Sequence, residues 1–404
     1  MNILTTERKS KVFNTVDTGL EEVPVCASDI SQTTMNKEGK PILMYRGYSI
    51  FDLVKGIFEE NIYLLLEKKL PDRDQLTAFS KTLKEHTGLD EKIIRHMESY
   101  PKNAHMMDFL LTTLSYARMF DEDYQNTLWQ EPRSDPDKLA DLIVRVGLRM
   151  GAKIPAILAG GYRIQTGKPI IPPDPSLDYA ENFLHMLGIE PERDITEALN
   201  TALTLYLDHT INCSTFTSLV AESSRTDPYS PLLAGGVSLK GVIHGGANEL
   251  AANMFDEIGR PENAEAYIHQ KLKNKESIFG FGHRLKHYKA NVESRVIIAE
   301  RVGRALAEKK GMNRYFEIYD ILAYIMMTEK ERAPNADLPI CLLLKIIGFP
   351  KQLNTPVFQA SRHFGWVANN VRQRRAQGPL YRPTQKYTGP DVSEMKTYVP
   401  LGKR

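Results

Sequence analysis

The 404 residues are 42% hydrophobic and 25% charged, ordinary for a globular protein with a large core and two or three domains. No run of about 18 apolar residues occurs, which excludes a helical membrane span. The net charge of +2 hides an asymmetry, because from Lys271 onward 25 Lys and Arg stand against 11 Asp and Glu. That basic final third fits either a polyanionic partner or helix surface matched by the acidic remainder. No zinc-finger or RNP motif points to nucleic acid. The first twenty residues lack the apolar stretch of a secretory leader. Cys26, Cys213 and Cys341 are too widely spaced for a metal motif or a disulfide framework, so a reducing, cytoplasmic compartment is expected.

Along the chain, helical periodicity dominates. It predicts a helix over 50–69, with Leu53, Val54, Ile57 and the run from Ile62 to Leu66 on or near one face. Similar patterns predict helices over 106–120, 138–166, 179–187 and 195–224. The Pro-rich IIPPDPSLD at 170–178 predicts a loop. ANELAANMFDEIG, 247–259, reads as a helix closed by Gly259 and Pro261. Another is expected from Asn291 as N-cap, with Val292, Val296, Ala299, Val302 and Leu306 on one stripe. The last long helix is expected from about Thr355 to Arg375, Pro356 suiting its first turn. GPLYRPTQKYTGP, 378–390, reads as an extended tail. The fold class is mainly α, with a small β element in the first forty-five residues.

Three segments set titratable side chains among glycines or apolar residues. In LKGVIHGGANEL, 239–250, His244 precedes two glycines that open a helix. Gly245 and Gly246 let a ligand approach the backbone. Free N–H groups at the helix start favour developing negative charge and oppose a protonated His244. A neutral histidine there suits donation to a carbonyl becoming an enolate, although a tight turn with a packed histidine has the same composition. In SIFGFGHRLKHYK, 277–289, Gly280 and Gly282 flank Phe281 and lead into His283 and Arg284. This G-x-G lacks the Rossmann context. Lys286, His287 and Lys289 suit phosphates, or are solvated residues of a surface loop. In APNADLPICLLLKIIGFP, 333–350, Asp337 stands before an apolar run, either as a desolvated base or as the N-cap of the helix that follows.

Taken in order, YRGYSIFDL at 45–53, LDHTINCSTFTS at 207–218, LKGVIHGGANE at 239–249, GFGHR at 280–284, PNAD at 334–337, ASRHFGW at 360–366 and YRPTQKYTG at 381–389 form one series. The series resembles citrate synthases over nearly the whole chain. The short amino terminus and the closing YVPLGKR are similar to the bacterial-type citrate and 2-methylcitrate synthases. The resemblance implies the citrate synthase fold, with a large helical domain over 1–244 and 343–404 and a smaller helical domain, 245–342, closing over the active site. It implies a Claisen-type condensation of a short acyl-CoA with oxaloacetate, then thioester hydrolysis, giving citrate and CoA when the thioester is acetyl-CoA. The alternatives are a 2-methylcitrate synthase using propionyl-CoA, or an enzyme for a longer alkylcitrate. A rival of another class is a non-catalytic paralogue that binds CoA or a carboxylate.

The family's catalytic trio falls on His244, His283 and Asp337. The resemblance makes Asp337 the base for the thioester's α-proton, His244 the donor to the enol oxygen, and His283 the group polarising the oxaloacetate ketone. The oxaloacetate positions map to His209, Arg295, Arg362 and Arg382, with Arg382 reaching the neighbouring site of a homodimer. Ser277, Ile278, Phe279, Gly280 and Phe281 resemble the stretch receiving the adenine end of CoA, and Lys286 and Lys289 are candidates for its phosphates. No metal and no cofactor are implied, the CoA thioester being a substrate. The series departs from the family at three places. The usual Asp-Pro-Arg, nine residues after the second catalytic histidine, is replaced by Val292 there and by Glu293-Ser294-Arg295 after a longer loop. Arg295 then reads either as a substrate carboxylate's partner or as a surface arginine. Asp-His-Glu is Asp208-His209-Thr210, and Leu338-Pro339-Ile340-Cys341 predicts a more apolar wall beside Asp337.

Overall fold

A computed structural model describes residues 19–21, 23–127, 135–283 and 291–404. A small antiparallel sheet comes first, with β1 Ser31–Met35, β2 Pro41–Tyr45 and β3 Tyr48–Ser49 in the order β1-β2-β3. Ser31 pairs with Tyr45 and Met35 with Pro41. β2 buries Pro41, Leu43 and Tyr45, the alternate positions that face one side of a strand.

The helices that follow are α1 Ile50–Leu53, α2 Phe58–Glu67, α3 Arg73–Thr87, α4 Glu91–Glu98, α5 Met106–Ala117, α6 Tyr124–Thr127, α7 Pro136–Gln165, α8 Tyr179–Leu187 and α9 Arg193–Tyr206. After them come α10 Cys213–Ser223, α11 Tyr229–Leu239, α12 Gly246–Ile258, α13 Ala264–Lys273, α14 Ser294–Lys310, α15 Arg314–Lys330, α16 Asp337–Ile347 and α17 Asn354–Arg375. The mainly α expectation holds, as does the β element near the start.

Three boundaries differ from the periodicity, each for a physical reason. The helix expected over 50–69 splits after Leu53, and Gly56 lies in the gap. The helix expected over 195–224 is broken from Leu207 to Asn212, where Thr210 takes a positive φ of 55°. Apolar spacing runs on through that break, so periodicity alone does not reveal it. α14 is capped by Glu293 rather than Asn291. The pattern also left 73–98 without helices, because α3 buries so few side chains, Leu83 and Thr87.

α17 is the centre of the larger unit and is buried along nearly its whole length. It packs against α7, α9, α10, α11, α12 and α2. Gly147 and Gly151 on α7 permit that approach, since a Cβ on them would lie 2.4 Å from Val367 and 2.5 Å from the Phe364 ring. Arg362, His363 and Trp366 are thereby held in the interior.

Residues Ser28–Pro379 form this compact unit. A second unit joins the described residues up to Ala27 with Leu380–Arg404. Within it the Tyr381 hydroxyl donates to the Val25 carbonyl at 3.3 Å, and two short 3-10 turns, Val392–Glu394 and Leu401–Lys403, interrupt the extended chain. Among the described residues no helix is long and apolar enough to cross a membrane.

Candidate active site

The break between α9 and α10 carries His209 and is fastened to the sheet. The Tyr45 hydroxyl donates to the carbonyls of Thr204 (3.0 Å) and Asp208 (2.9 Å). Ser31 Oγ bonds the Asp208 carboxylate and accepts the Thr210 N–H at 2.9 Å. Asn369 of α17 donates to the other Asp208 oxygen at 3.2 Å. His209 is thus flanked by two anchored residues and is itself buried. Burial and the nearby Arg295 hold its imidazole down to about 3, so it is neutral at pH 7.

His244 lies in the turn before α12. Its Nε2 accepts the Ser214 N–H at 3.3 Å and sits 2.8 Å from Ser214 Oγ. Ser214 is in the first turn of α10, where a backbone N–H has no helical partner. A nitrogen that accepts an N–H carries no proton, so the ring proton is on Nδ1. Burial, then Arg362, lower His244 to about 4. Its imidazole is therefore neutral at pH 7, with the proton on Nδ1.

The segments that lead into His283 and Asp337 are fastened to each other through their backbones. Gly282 N–H donates to Ala333 O (2.8 Å) and Asn335 N–H to Gly280 O (2.9 Å), while Phe281 bridges Pro334. Asn335 Nδ2 closes the arrangement on Gly282 O at 3.0 Å. Gly280 has a φ of 84°, and a Cβ there would lie 2.6 Å from Leu338 Cδ1. Gly280→Ala is expected to cost about 1–3 kcal/mol by overpacking, besides the strain of positive φ, and to displace His283. Thermal denaturation checks the first effect and turnover the second.

Asp337 is the first residue of α16, with Ala336 as its N-cap, so the N-cap reading of Asp337 is not what the structure has. Burial pushes its carboxyl up to about 7, with Arg295 and Arg362 opposing the rise and Glu293 adding to it. Asn248 of α12 donates to the Asp337 carbonyl (3.0 Å) and to the Tyr206 hydroxyl (2.6 Å).

Arg295 is no surface arginine. It is buried and donates to both oxygens of Glu293, at 2.9 Å from Nη2 and 3.1 Å from Nε. Glu293 is buried as well. Burial alone would raise its carboxyl, but Arg295 and then His209 hold it well below the usual carboxylate range. Glu293 Oε2 lies 3.5 Å from His209 Nε2, and the His209 and His283 rings are 5.4 Å apart. Donor atoms of His209, His283 and Glu293 fall within 4.8 Å of one another. A divalent cation there would face the Arg295 guanidinium, which already takes both carboxylate oxygens, so the donor set does not suit a metal. Arg362 is fully buried, donates from Nε to Tyr206 O at 2.6 Å and lies 4.8 Å over the Phe358 ring. Its Nη2 is buried and has no hydrogen-bond partner among the described residues, and the guanidinium remains charged at pH 7 with its ionisation lowered to about 10 by burial.

The sequence model described as "Citrate synthase, C-terminal domain" matches residues 19–384. The chain belongs to the citrate synthase family. "Citrate synthase 2" of Bacillus subtilis is 35% identical over 96% of this chain and 100% of that protein. "2-methylcitrate synthase 1" of Corynebacterium glutamicum is also 35% identical, over 90% of this chain and 92% of its own length. A solved citrate synthase of Thermoplasma acidophilum, in a ternary complex with carboxymethyl coenzyme A and oxaloacetate, superposes with a TM-score of 0.83 at 29% identity. That likeness covers 96% of this chain and 99% of the other. The mainly helical architecture is therefore the citrate synthase fold.

Within this citrate synthase framework, the structure brings His209, His283, Arg295, Asp337, Arg362 and His244 into one neighbourhood. Of the CoA candidates, Ser277 is exposed, Ile278 and Phe279 are half-buried, and Gly280 and Phe281 are buried. Lys286 and Lys289 lie outside the described residues. Arg382 is an exposed residue of the terminal unit. The expected apolar wall is not an open one: Leu338, Ile340 and Cys341 are fully buried, and Leu338 packs under Gly280. The departure from the family motif put these side chains beside Asp337, and the interior face of α16 takes them. Sequence reasoning passed over Ser31, Ser214, Asn248 and Phe358, and named Glu293 only as part of the displaced motif; their roles rest on partners distant in the chain.

Proposed function

We propose that this chain condenses a short acyl-CoA with oxaloacetate and hydrolyses the resulting thioester. The observation that carries the reading is the pairing of two groups of opposite task. Asp337 is a carboxylate with its basicity raised to about 7, and His244 is held as a neutral Nδ1–H donor. Asp337 takes a proton from the carbon α to the thioester while His244 donates to the enol oxygen. The carbon nucleophile adds to the oxaloacetate ketone, polarised by His283, and that oxygen gains a proton. Water then cleaves the C–S bond and CoA leaves.

Oxaloacetate is a dianion, and the cleft offers two buried guanidiniums. Arg362 keeps an unpartnered Nη2, which suits a substrate carboxylate. Arg295 and His209, joined through Glu293, are the further partners, and Arg382 comes from a second copy in this proposal. Two facts support a homodimer. Val237, Val242 and Ile243, on α11 and in the turn before His244, are 62–82% exposed. In the terminal unit Tyr387, Val392, Met395, Tyr398 and Leu401 are exposed too. Apolar side chains in such number fit a covered surface better than water. The stretch 245–342 supplies His283, Arg295 and Asp337, while His209 and Arg362 come from outside it. That division supports the smaller domain closing on the substrates.

The acyl chain is the open variable, because citrate and 2-methylcitrate synthases are equally similar to this chain. One methylene changes discrimination by about 1–3 kcal/mol. We expect kcat/KM for propionyl-CoA within about tenfold of that for acetyl-CoA. The assay is oxaloacetate-dependent CoA release from each thioester. A preference for acetyl-CoA above about a hundredfold, roughly 2.7 kcal/mol, returns the protein to citrate formation alone. No release from either thioester leaves the non-catalytic paralogue standing.

A further inference from the structure

We propose that Glu293 is a positioning residue for this condensation, tying the helix that carries the base to the oxaloacetate side of the cleft and setting the charge around that base. The inference rests on the reaction proposed above. Glu293 is 2% exposed, yet its one carboxylate contacts three groups and lies near a fourth. Its Oε1 accepts the N–H of Ala336, the residue immediately before Asp337, at 3.0 Å. Both oxygens take Arg295, and Oε2 lies 3.5 Å from His209 Nε2. A donor atom of His283 completes the group within 4.8 Å. Shifting this carboxylate therefore moves α16 relative to two histidines and an arginine at once.

The residue after it fixes Glu293 in place. Ser294 Oγ accepts the Leu43 N–H of β2 at 3.1 Å. The sheet that anchors Asp208 and Thr210 through Ser31 thus also anchors the start of α14. Both sides of the His209–Glu293 contact hang from one small β element.

Charge gives the second half of the argument. The groups acting on the Asp337 carboxylate are Tyr206 on α9, Asn248 on α12, Glu293 and Arg295 at the start of α14, Arg362 on α17 and Cys341 on its own helix. Glu293 is an anion among them, and its charge raises Asp337 against the two arginines. Removing it leaves Arg295 and Arg362 to pull Asp337 down, making a weaker base that stays ionised to lower pH.

The test is the pH profile of kcat in Glu293→Gln, with KM for oxaloacetate measured separately and folding followed by thermal denaturation. We expect the acid limb to move to lower pH by about one unit, and plateau kcat to fall about tenfold or more through misplacement of α16. A folded Glu293→Gln with the wild-type acid limb overturns the inference, whatever its KM. Glu293→Asp keeps the charge but draws it back by one methylene from Ala336. It is expected to keep the acid limb and lose kcat several-fold. Should the Gln variant not fold, wild-type kcat in Glu293→Asp overturns the inference by itself. A wild-type protein that condenses neither acetyl- nor propionyl-CoA refutes the reaction, whereas an active wild type with unmoved variants refutes only the role of Glu293.

Discussion

Asp337→Asn is expected to lower turnover by about 100-fold or more, roughly 2.7 kcal/mol of transition-state stabilisation, while oxaloacetate binds much as before. Asparagine keeps the shape and loses the base. The backbone contacts that place residue 337 survive: its N–H donates to Asn335 Oδ1 and its carbonyl accepts from Asn248. Stability provides an independent check. Asp337 has a folded-state ionisation near 7 against an ordinary value of 3.8. The folded state therefore binds the proton more tightly, and the stability this gives is present below about pH 4 and lost as pH rises towards 7. A neutral asparagine escapes that loss, so the variant should melt at the same temperature as the wild type or higher at pH 8. Near-normal turnover in a folded Asp337→Asn protein would move the base elsewhere. A sharp loss of melting temperature would show that residue 337 is structural.

How much of this was legible in the sequence depends on the range of the interaction involved. His244, His283 and Asp337 announce themselves because glycine, histidine and aspartate stand out in apolar surroundings, and the motif order fixes their partnership. Helices with a clear apolar stripe, such as α7 and α8, are found within two residues of where periodicity puts them. The break at Leu207–Asn212 is not found, because what opens it is remote. Ser31, Tyr45 and Asn369 bind the Asp208 region from the sheet and from α17. A Cβ on Gly365 would come within 2.2 Å of the Leu207 carbonyl, so α17 crosses close to the broken turn. None of these partners is within a helical turn of the break. The role of Glu293 went unread for the same reason. Two residues before Arg295 it looks like the acidic start of a helix, and its value comes from His209 and Ala336, respectively 84 residues before and 43 after it. The Leu338 wall failed differently. Residue type was read correctly as apolar, but α16 is surrounded, and its apolar side chains serve the core.

The second large effect is expected from the arginines, and it separates a site built by one chain from a site built by two. Arg362→Ala and Arg382→Ala should each lose about 100-fold or more in kcat/KM for oxaloacetate, since removing one partner of a desolvated charge pair costs about 2–5 kcal/mol. Arg362 donates to Tyr206 O in the interior of the larger unit, whereas Arg382 is exposed in the terminal unit. If Arg382 serves the neighbouring copy, a mixed dimer with one variant of each kind has two unequal sites. One lacks both arginines. The other takes Arg362 from the Arg382→Ala chain and Arg382 from the Arg362→Ala chain, and is intact. With random exchange about half of the dimers are mixed and each has one working site, so the mixture should recover about a quarter of wild-type activity. If both arginines act within one chain, every site in the mixture lacks one of them, and no activity returns. Differently tagged subunits purified over two affinity steps confirm that mixed dimers are present. Activity no higher than that of the two inactive parents in those purified dimers would place Arg382 in the same chain as the site it serves.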